Sequence, residues 1–490
     1  TSMTLVDHLN LVAPALLAFC GSGVVLLLGL LPMKNRYLGF WASLALVLAF
    51  VWLIAHHLNQ TDSVGLSGAV KLDAFSIFFS MIIVGATIAV VLATQDWAAK
   101  LENEMEFYAL LLTAVGGMLI LTQANDLITI FIAIETISLS QFILAAVVRD
   151  DRGAEAGLKY LLTGAVAAAV LLYGLVFLFG ISGSTSLDSI SRFILSSPEE
   201  FKLVLLLTFI FITAGVGYKM ALAPFHGWAP DIYQGAPSPV GAFLSVASKA
   251  AGFAIALRIL YGGLAGGDSF LSDDMSQIFS ILAIASMIIG NTGALRQTDA
   301  KRLLGYSSIA QAGNIAVGLA ALAIGSTLGA GAVAFFVGTY LFTNLGAFLC
   351  VHIIEYKTGN TEITGYAGML KQSPLLAVVL TISLLSLTGI PPTVGFVAKV
   401  YVFNAAISAG SPWLVGLVAV AVINTAISAY YYLRWVRIMW LEDSPEKAIQ
   451  IRPNGWQQFV LGGLALGVVL LGVLPNSLIN LAKAAAETLL

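Results

Sequence analysis

Five charged side chains lie inside stretches of the sequence that are otherwise long and apolar. They are Glu135, Lys159, Lys219, Lys249 and Lys399. A charged side chain at the centre of a lipid bilayer costs from about 2.5 to above 10 kcal/mol, so it normally faces a helix-bundle interior or a hydrated cavity. Carboxylates and amines exchange protons, and intramembrane rows of such groups are typical of ion pathways. These residues therefore indicate ion translocation along a row near the middle of the membrane.

The composition requires that membrane helices position these charges. Of the 490 residues, 59% are hydrophobic and 10% charged, and the net charge is −3. Soluble domains are about 45–50% apolar and about 25% charged, so a soluble globule is excluded, as are a disordered chain and a nucleic-acid binder with a basic stripe. A membrane helix needs about 20 apolar residues. We predict an all-α polytopic membrane protein with spans at 9–31, 37–56, 74–95, 105–123, 126–148, 155–182, 202–223, 237–261, 275–295, 301–325, 327–354, 373–409, 412–436 and 456–482.

The loop cations predict the orientation of the chain. One set of loops holds five basic residues, Lys71, Arg192, Lys202, Arg258 and Lys483. Cytoplasmic loops carry the excess of Lys and Arg, so we expect both termini on the outer side of a prokaryotic plasma membrane. The opposite, richer set holds Lys34, Arg36, Lys100, Arg149, Arg152, Arg296, Lys301, Arg302, Lys357, Lys371, Arg434, Arg437, Lys447 and Arg452.

Glu135 and Lys219 have a functional and a structural interpretation. Glu135 lies nine residues after Asp126, about 14 Å into its helix, and its side chain is too short to reach water from there. Lys219 lies five residues before Pro224, which interrupts the helix and frees backbone carbonyls. The two side chains either translocate protons or form a structural ion pair that joins two helices.

The other titratable groups leave alternatives open as well. Lys249 is either a proton carrier or a lysine whose flexible side chain reaches the interface. Lys159 follows Glu155 at i+4, which is also the spacing of an ordinary surface ion pair. His226 either relays protons or caps the helix break. Lys399 follows a second break that contains Pro391 and Pro392.

The two breaks fall in the seventh and twelfth spans, five spans apart. Because five is odd, spans 4–8 and 9–13 would have opposite topology, which is a signature of ion transporters. We therefore predict inverted repeats at 105–261 and 262–441, between N-terminal helices at 1–104 and a C-terminal helix at 442–490. Lys219 and Lys399 are then pseudo-symmetric partners, and Gln311 lies near the position that would match Glu135.

Three motifs resemble the subunit N family of respiratory complex I, whose antiporter-like fold is shared with Mrp antiporters. They are PFHGWAPDIYQGAPSPV from Pro224, KRLLGYSSIAQAG from Lys301 and SLTGIPPTVGFVAKVYVF around Lys399. The resemblance implies fourteen helices with helices 7 and 12 broken. It implies that Glu135, Lys219, Lys249 and Lys399 translocate protons and that Lys159 assists them. Gln311 stands where relatives often have a histidine, and because glutamine cannot titrate, a proton path there would need water.

The resemblance also implies which partners and cofactors to expect. The sequence has two cysteines and no CxxC, metal or dinucleotide motif, so we expect neither a cofactor nor a metal in this chain. Flavin, iron–sulfur clusters and quinone would belong to partner subunits of a hetero-oligomeric NAD(P)H- or ferredoxin-quinone oxidoreductase. Other membrane-arm subunits and lipids are the expected contacts. An Mrp-type cation/proton antiporter and a purely structural membrane-arm subunit stay open as alternatives.

Overall fold

The computed structural model describes residues 4–31, 37–59, 63–196, 201–264, 269–444 and 449–489. These residues form a helical bundle with one short antiparallel hairpin, β1 (Ser63–Gly65) and β2 (Val70–Leu72). The helices are α1 (Leu5–Leu11), α2 (Ala13–Leu30), α3 (Leu38–Asn59), α4 (Ala74–Ala98), α5 (Glu104–Gln123), α6 (Leu127–Ala145), α7 (Asp151–Ser182), α8 (Leu187–Ser196), α9 (Lys202–Met220), α10 (Trp228–Gly235), α11 (Ser238–Phe243), α12 (Lys249–Arg258), α13 (Ser272–Leu295), α14 (Ala300–Ala323), α15 (Gly329–Thr358), α16 (Met369–Gln372), α17 (Pro374–Thr388), α18 (Val394–Ser408), α19 (Pro412–Leu441), α20 (Gly455–Val473) and α21 (Asn476–Glu487).

Helices long and apolar enough to cross a membrane agree with the predicted spans. Within the described ranges, 12 helical segments meet both conditions, and each overlaps one predicted span. Two shorter apolar helices, α17 and α18, occupy the predicted twelfth span, and α14 occupies the tenth. The all-α membrane fold is therefore confirmed, whereas the count of fourteen spans and the inverted repeats stay predictions.

Several local features differ from the sequence prediction. The predicted last span, 456–482, is two helices, because α20 ends at Val473 and Pro475 directly precedes α21. The amphipathic helix α8 and the β1–β2 hairpin occupy segments for which no element was predicted. Three loop cations used for the orientation, Lys34, Arg36 and Lys447, lie outside the described residues.

The two interrupted helices break at the positions that the prolines predict. The first stops at Met220, resumes at Trp228, and has Ala221 in the left-handed conformation at its end, with φ 57°. The second stops at Thr388 and resumes at Val394, with Gly389 as the left-handed residue, at φ 89°. Because each break ends the α-helical ladder, the last carbonyls of α9 and α17 need partners outside their own helix.

The centre of the bundle is the segment from α11 to α12. Its residues Ser238–Arg258 are entirely buried, and α12 packs against α4, α5, α9 and α15. A π-helical turn, Leu244–Ser248, joins α11 to α12 and ends directly before Lys249. Such turns re-aim the following side chains and are frequent at functional sites. Lys249 therefore follows directly on a buried π-helical turn and is itself 2% exposed.

One ion pair fixes the far end of α12 and was missed by the sequence analysis. Arg258 was predicted to be a loop cation, but it lies within α12 and is 3% exposed. Its guanidinium donates to both carboxylate oxygens of Asp73 at 2.7 Å and to the carbonyl of Thr122. Asp73 is also the N-cap of α4, where it accepts from the backbone N–H of Ser76. Local sequence gave no sign that residues 185 positions apart would pair.

Replacing Arg258 by methionine should strongly destabilise the protein. The change leaves the Asp73 carboxylate buried without its counter-ion, a loss that costs about 3–5 kcal/mol of the free energy of unfolding. Thermal denaturation of the purified protein measures the effect. The control is Lys371→Met, which removes a pair with Asp443 whose side chains are 74% and 98% exposed, and which should cost at most about 1 kcal/mol. Equal effects of the two variants would contradict the prediction.

Candidate functional site

The structure buries three of the five predicted lysine and glutamate candidates deep in the bundle. Lys219, Lys249 and Lys399 are 7%, 2% and 4% exposed. Throughout the described residues, none of the three amines lies within ion-pair distance of a carboxylate. Each amine instead donates hydrogen bonds to neutral oxygen atoms. The candidate site is therefore a set of buried amines held by amide, hydroxyl and carbonyl oxygens.

The first amine is held by a glutamine. Lys219 lies near the end of α9 and donates to the Gln141 side-chain oxygen at 3.4 Å. Gln141 lies on α6, the helix that carries Glu135. Glu135 is partly buried, and its buried oxygen Oε1 has no hydrogen-bond partner in the described part of the chain. The two predicted partners, Glu135 on α6 and Lys219 on α9, therefore do not form an ion pair in this structure, although Lys219 bonds to another residue of α6.

The second amine is held by a serine of the neighbouring helix. Lys249 donates to the backbone oxygen of Ser308 at 2.5 Å and to the hydroxyl of the same residue. Its amine also lies 5.9 Å from the ring centroid of Tyr340. The burial of Lys249 is inconsistent with the alternative in which its side chain reaches the membrane interface. These two hydrogen bonds orient the Lys249 side chain toward α14.

The third amine and Gln311 bind carbonyls that the second helix break leaves free. Lys399 donates to the carbonyl of Thr388 at 2.9 Å, and Gln311 donates to the carbonyl of Leu387 at 2.8 Å. Both acceptors belong to the last turn of α17, whose carbonyls have no partner further along the helix. Gln311 also accepts a hydrogen bond from the side-chain amide of Asn314 at 3.3 Å, so its carboxamide is held at both ends.

Helix α14 connects the second amine to the third. Ser308 and Gln311 are three residues apart on α14, so they lie on one face, and they are 0% and 2% exposed. The row therefore runs from Lys219 through Gln141 to the start of α12, then from Lys249 through α14 to the break that holds Lys399. The sequence analysis missed Gln141 and Ser308. The available signal was that Gln141 lies six residues after Glu135 in the same apolar stretch. Burying an amide side chain is costly unless it is hydrogen-bonded, so a glutamine at this position indicates a buried polar partner.

The fourth lysine lies elsewhere. Lys159 is 48% exposed and pairs with Glu155 at 2.7 Å and Asp231 at 3.4 Å. It lines a polar cavity of about 550 Å³ together with Arg152 and Arg302. The ordinary i+4 pair considered from sequence is therefore present, and Lys159 is separate from the buried row.

Lys301 and Glu355 form a partly buried ion pair that lines the same cavity. The atoms lie 2.9 Å apart, and the Lys301 side chain is 6% exposed. Lys301 also donates to the carbonyl of Ala236, and Glu355 accepts from the hydroxyl of Ser238. This lysine was counted as a loop cation, yet it joins the helices α14 and α15 to the segment before α11.

His226 and the two cysteines do not join the row of buried amines in this structure. His226 is partly buried within the first break, next to the exposed Pro224, and its Nδ1 atom has no hydrogen-bond partner among the residues described. Cys350 is buried, as expected of a small core residue, whereas Cys20 is exposed. In the described ranges, no three His, Cys, Asp or Glu side chains are grouped as metal ligands.

The segment that contains the candidate row matches a known family. The family model is described as "NADH:quinone oxidoreductase/Mrp antiporter, TM", and it covers residues 124–426. All five predicted charged residues, from Glu135 to Lys399, fall inside that range. The chain belongs to this antiporter-like family.

Relatives of this antiporter-like chain extend over nearly its whole length. It is 37% identical to "NADH-quinone oxidoreductase subunit N" of Dehalococcoides mccartyi, over 94% of this chain and 95% of that one. It is 40% identical to "NAD(P)H-quinone oxidoreductase subunit 2" of Synechocystis sp., over 90% of this chain and 86% of that one. The resemblance inferred from the motifs is therefore confirmed at the level of the family.

Solved structures of the antiporter-like family have the same fold. A chain of respiratory complex I from Thermus thermophilus superposes with a TM-score of 0.80 at 30% identity, covering 96% of this chain and 99% of that chain. A chain of the Mrp complex from Dietzia sp. reaches a TM-score of 0.86 at 20% identity, covering 99% and 98%. The second similarity concerns the fold alone.

Alanine at Gly389 should disturb the break that holds Lys399. A Cβ atom there would lie 3.0 Å from Cδ of Lys399, on a backbone with φ 89°. The left-handed backbone costs about 1–2 kcal/mol, and displacing the amine from Thr388 would add about 1.5–3 kcal/mol. The control is Gly410→Ala, where φ is 72° but no atom lies within 4 Å. We expect Gly389→Ala to lower the melting temperature more, and equal shifts would contradict this account.

Proposed function

We propose that this chain is a proton-translocating, antiporter-like membrane subunit of a complex I-type NAD(P)H- or ferredoxin-quinone oxidoreductase. The observation that carries the proposal is the row of three buried amines without a carboxylate partner in the described residues. An amine whose hydrogen bonds go only to neutral oxygens can lose its proton without breaking an ion pair. The relatives named above, which align over nearly the whole chain, support the assignment to such a complex.

In the proposed mechanism, Glu135 controls the proton on Lys219. A carboxylate attracts a protonated amine, so bringing Glu135 and Lys219 together holds the proton, and separating them releases it toward Lys249 and Lys399. Interacting groups of this kind titrate as a set rather than singly. Lys159 and His226 are auxiliary groups, and Gln311 is a fixed, non-titrating member of the row.

The energy for translocation would come from partner subunits. Quinone reduction, with flavin and iron–sulfur clusters, would take place there, and this chain would belong to the membrane arm of a hetero-oligomer. The chain would be an enzyme subunit in the sense of a translocase, without a redox site of its own. We place it in the prokaryotic plasma membrane with both termini outside, on the basis of the loop cations.

The inverted repeats at 105–261 and 262–441 are part of the proposal. Their support is the recurrence of a broken helix, α9–α10 and then α17–α18, each with a left-handed residue at the end of its first half. The two lysines that were predicted to be pseudo-symmetric do not occupy matching positions. Lys219 lies in the first half of its broken helix, before the break, whereas Lys399 lies in the second half of its own, after the break. The repeats would therefore be related in backbone more closely than in side-chain position.

The two alternative functions, a purely structural subunit and an Mrp-type antiporter, predict different roles for the buried lysines. A purely structural subunit would use its buried lysines to join helices through ion pairs, as Arg258 does with Asp73, and the three amines do not form such pairs in the described chain. An Mrp-type cation/proton antiporter would use a similar row of charges. Proton flux that requires sodium and no quinone reduction would favour it.

Removing the side chain of either Glu135 or Lys219 should strongly reduce proton pumping. We expect Lys219→Ala and Glu135→Ala in the assembled complex, reconstituted in liposomes, to lower the rate of quinone-dependent proton pumping by about tenfold or more, because release and uptake at the row then lack their first carrier. A pH-sensitive dye reports pumping, and the absorbance of the electron donor reports turnover. Normal pumping with normal turnover in both variants would refute the proposed function.

Lys219→Arg distinguishes a proton carrier from a structural cation. Arginine keeps the positive charge but hardly ever loses its proton. A lysine that only holds helices together should tolerate the change, whereas a proton carrier should not. We therefore expect Lys219→Arg to pump as poorly as Lys219→Ala while the complex still assembles.

Lys399→Ala tests the far end of the row. Because Lys399 would be the last amine before proton exit, its loss should slow proton release and with it coupled turnover, by about tenfold. The matched control is Lys483→Ala, a lysine of the surface helix α21 outside the row. An unchanged pumping rate and stoichiometry in Lys399→Ala would count against the assigned role.

A further inference from the structure

The side-chain amide of Gln141 lies where three parts of the bundle meet. Its oxygen accepts hydrogen bonds from the Lys219 amine at 3.4 Å, the Tyr160 hydroxyl at 3.1 Å and the Ser248 hydroxyl at 3.2 Å. These donors belong to α9, to α7 and to the π-helical turn before α12. Gln141 is 0% exposed, and its Nε2 atom has no partner within the part of the chain that is described.

A carboxamide can bond to a lysine in either protonation state. It carries an acceptor oxygen and a donor NH₂ on one planar group, whereas an ionised carboxylate only accepts. A protonated lysine only donates, as Lys219 does here to Oε1. A neutral amine offers a lone pair, and half a turn of the terminal torsion of Gln141 would present the unpaired Nε2–H to it. A leucine of similar size could do neither.

The position of Gln141 favours the separated arrangement of Glu135 and Lys219. Glu135 lies six residues earlier on the same helix, about 9 Å along its axis. The amine therefore has two possible partners on α6, and in this structure it bonds to the amide rather than to the carboxylate. Through Ser248, the amide also links the amine to the turn that directly precedes Lys249.

We infer that Gln141 is a positioning residue that holds the Lys219 amine, protonated or neutral, next to the turn that leads to Lys249. The inference rests on the proposed function, in which Lys219 gives up its proton toward Lys249. Gln141 does not carry the proton. It fixes the donor in place while the proton leaves and while the next one arrives.

The test compares four variants in the assembled complex reconstituted in liposomes. In Gln141→Leu, the amine loses its partner in both states, and we expect pumping to fall by about tenfold. Gln141→His keeps a donor and an acceptor at similar reach, so it should retain most of the pumping rate. Gln141→Asn keeps both groups but is shorter by one methylene, so it should pump poorly. Gln123→Leu removes another fully buried glutamine, which has no hydrogen-bond partner in the described chain, and should pump normally.

The relative pumping rates of the variants distinguish a role of Gln141 in positioning Lys219 from a role in packing alone. Wild-type pumping in Gln141→Leu would overturn the inference. So would equal rates in Gln141→His and Gln141→Asn, a comparison that decides the matter even if Gln141→Leu fails to assemble. Thermal denaturation of each complex identifies any loss that is only structural, and a fall in pumping that follows melting temperature across the series would also overturn the inference. Normal pumping in Lys219→Ala measured alongside would refute the proposed function instead.

Discussion

The cost of burying a positive charge without a negative partner is the constraint that governs this structure. Lys219, Lys249 and Lys399 all occupy the interior of the bundle, where an uncompensated ammonium group is expensive. The described chain compensates each of them with neutral oxygens rather than with carboxylates. Those oxygens come from a glutamine, a serine and a helix that stops in the middle of the bundle. Each buried amine therefore lies where the fold provides a hydrogen-bond acceptor.

Ion pairs are used elsewhere, for a different purpose. Arg258 binds Asp73 through two parallel hydrogen bonds, and Lys301 binds Glu355 beside the polar cavity. The Arg258–Asp73 pair holds its helices firmly, because removing either partner would leave a buried charge alone. In the described chain, the amines of Lys219, Lys249 and Lys399 form no such pair. The structure thus contains two kinds of buried cation, one paired with a carboxylate and one bound to neutral oxygens.

Helix α14 is the element that makes the row continuous. It supplies Ser308 to Lys249 and Gln311 to the second break, and it packs closely along α13. The close approach depends on glycine, because a Cβ atom on Gly290 would lie 2.5 Å from the backbone nitrogen of Ala310. A bulkier residue there would move α14 and with it both hydrogen-bonded ends. The packing of α13 against α14 therefore positions the two residues, Ser308 and Gln311, that bind Lys249 and the second helix break.

The sequence alone is enough to predict the membrane class, most spans, both helix breaks and three of the buried amines, those of Lys219, Lys249 and Lys399. These features depend on local composition, since a continuous apolar run must be a helix in a membrane and a proline must interrupt it. The partners of these residues become visible only in the folded bundle. Gln141 meets Lys219 across 78 positions and Arg258 meets Asp73 across 185, and no local pattern encodes such distances. The same limit explains why Lys159, although it is the same residue type in a similar apolar run, lies at a cavity rather than in the row: burial is set by the helices that pack around a side chain, and these are distant in sequence.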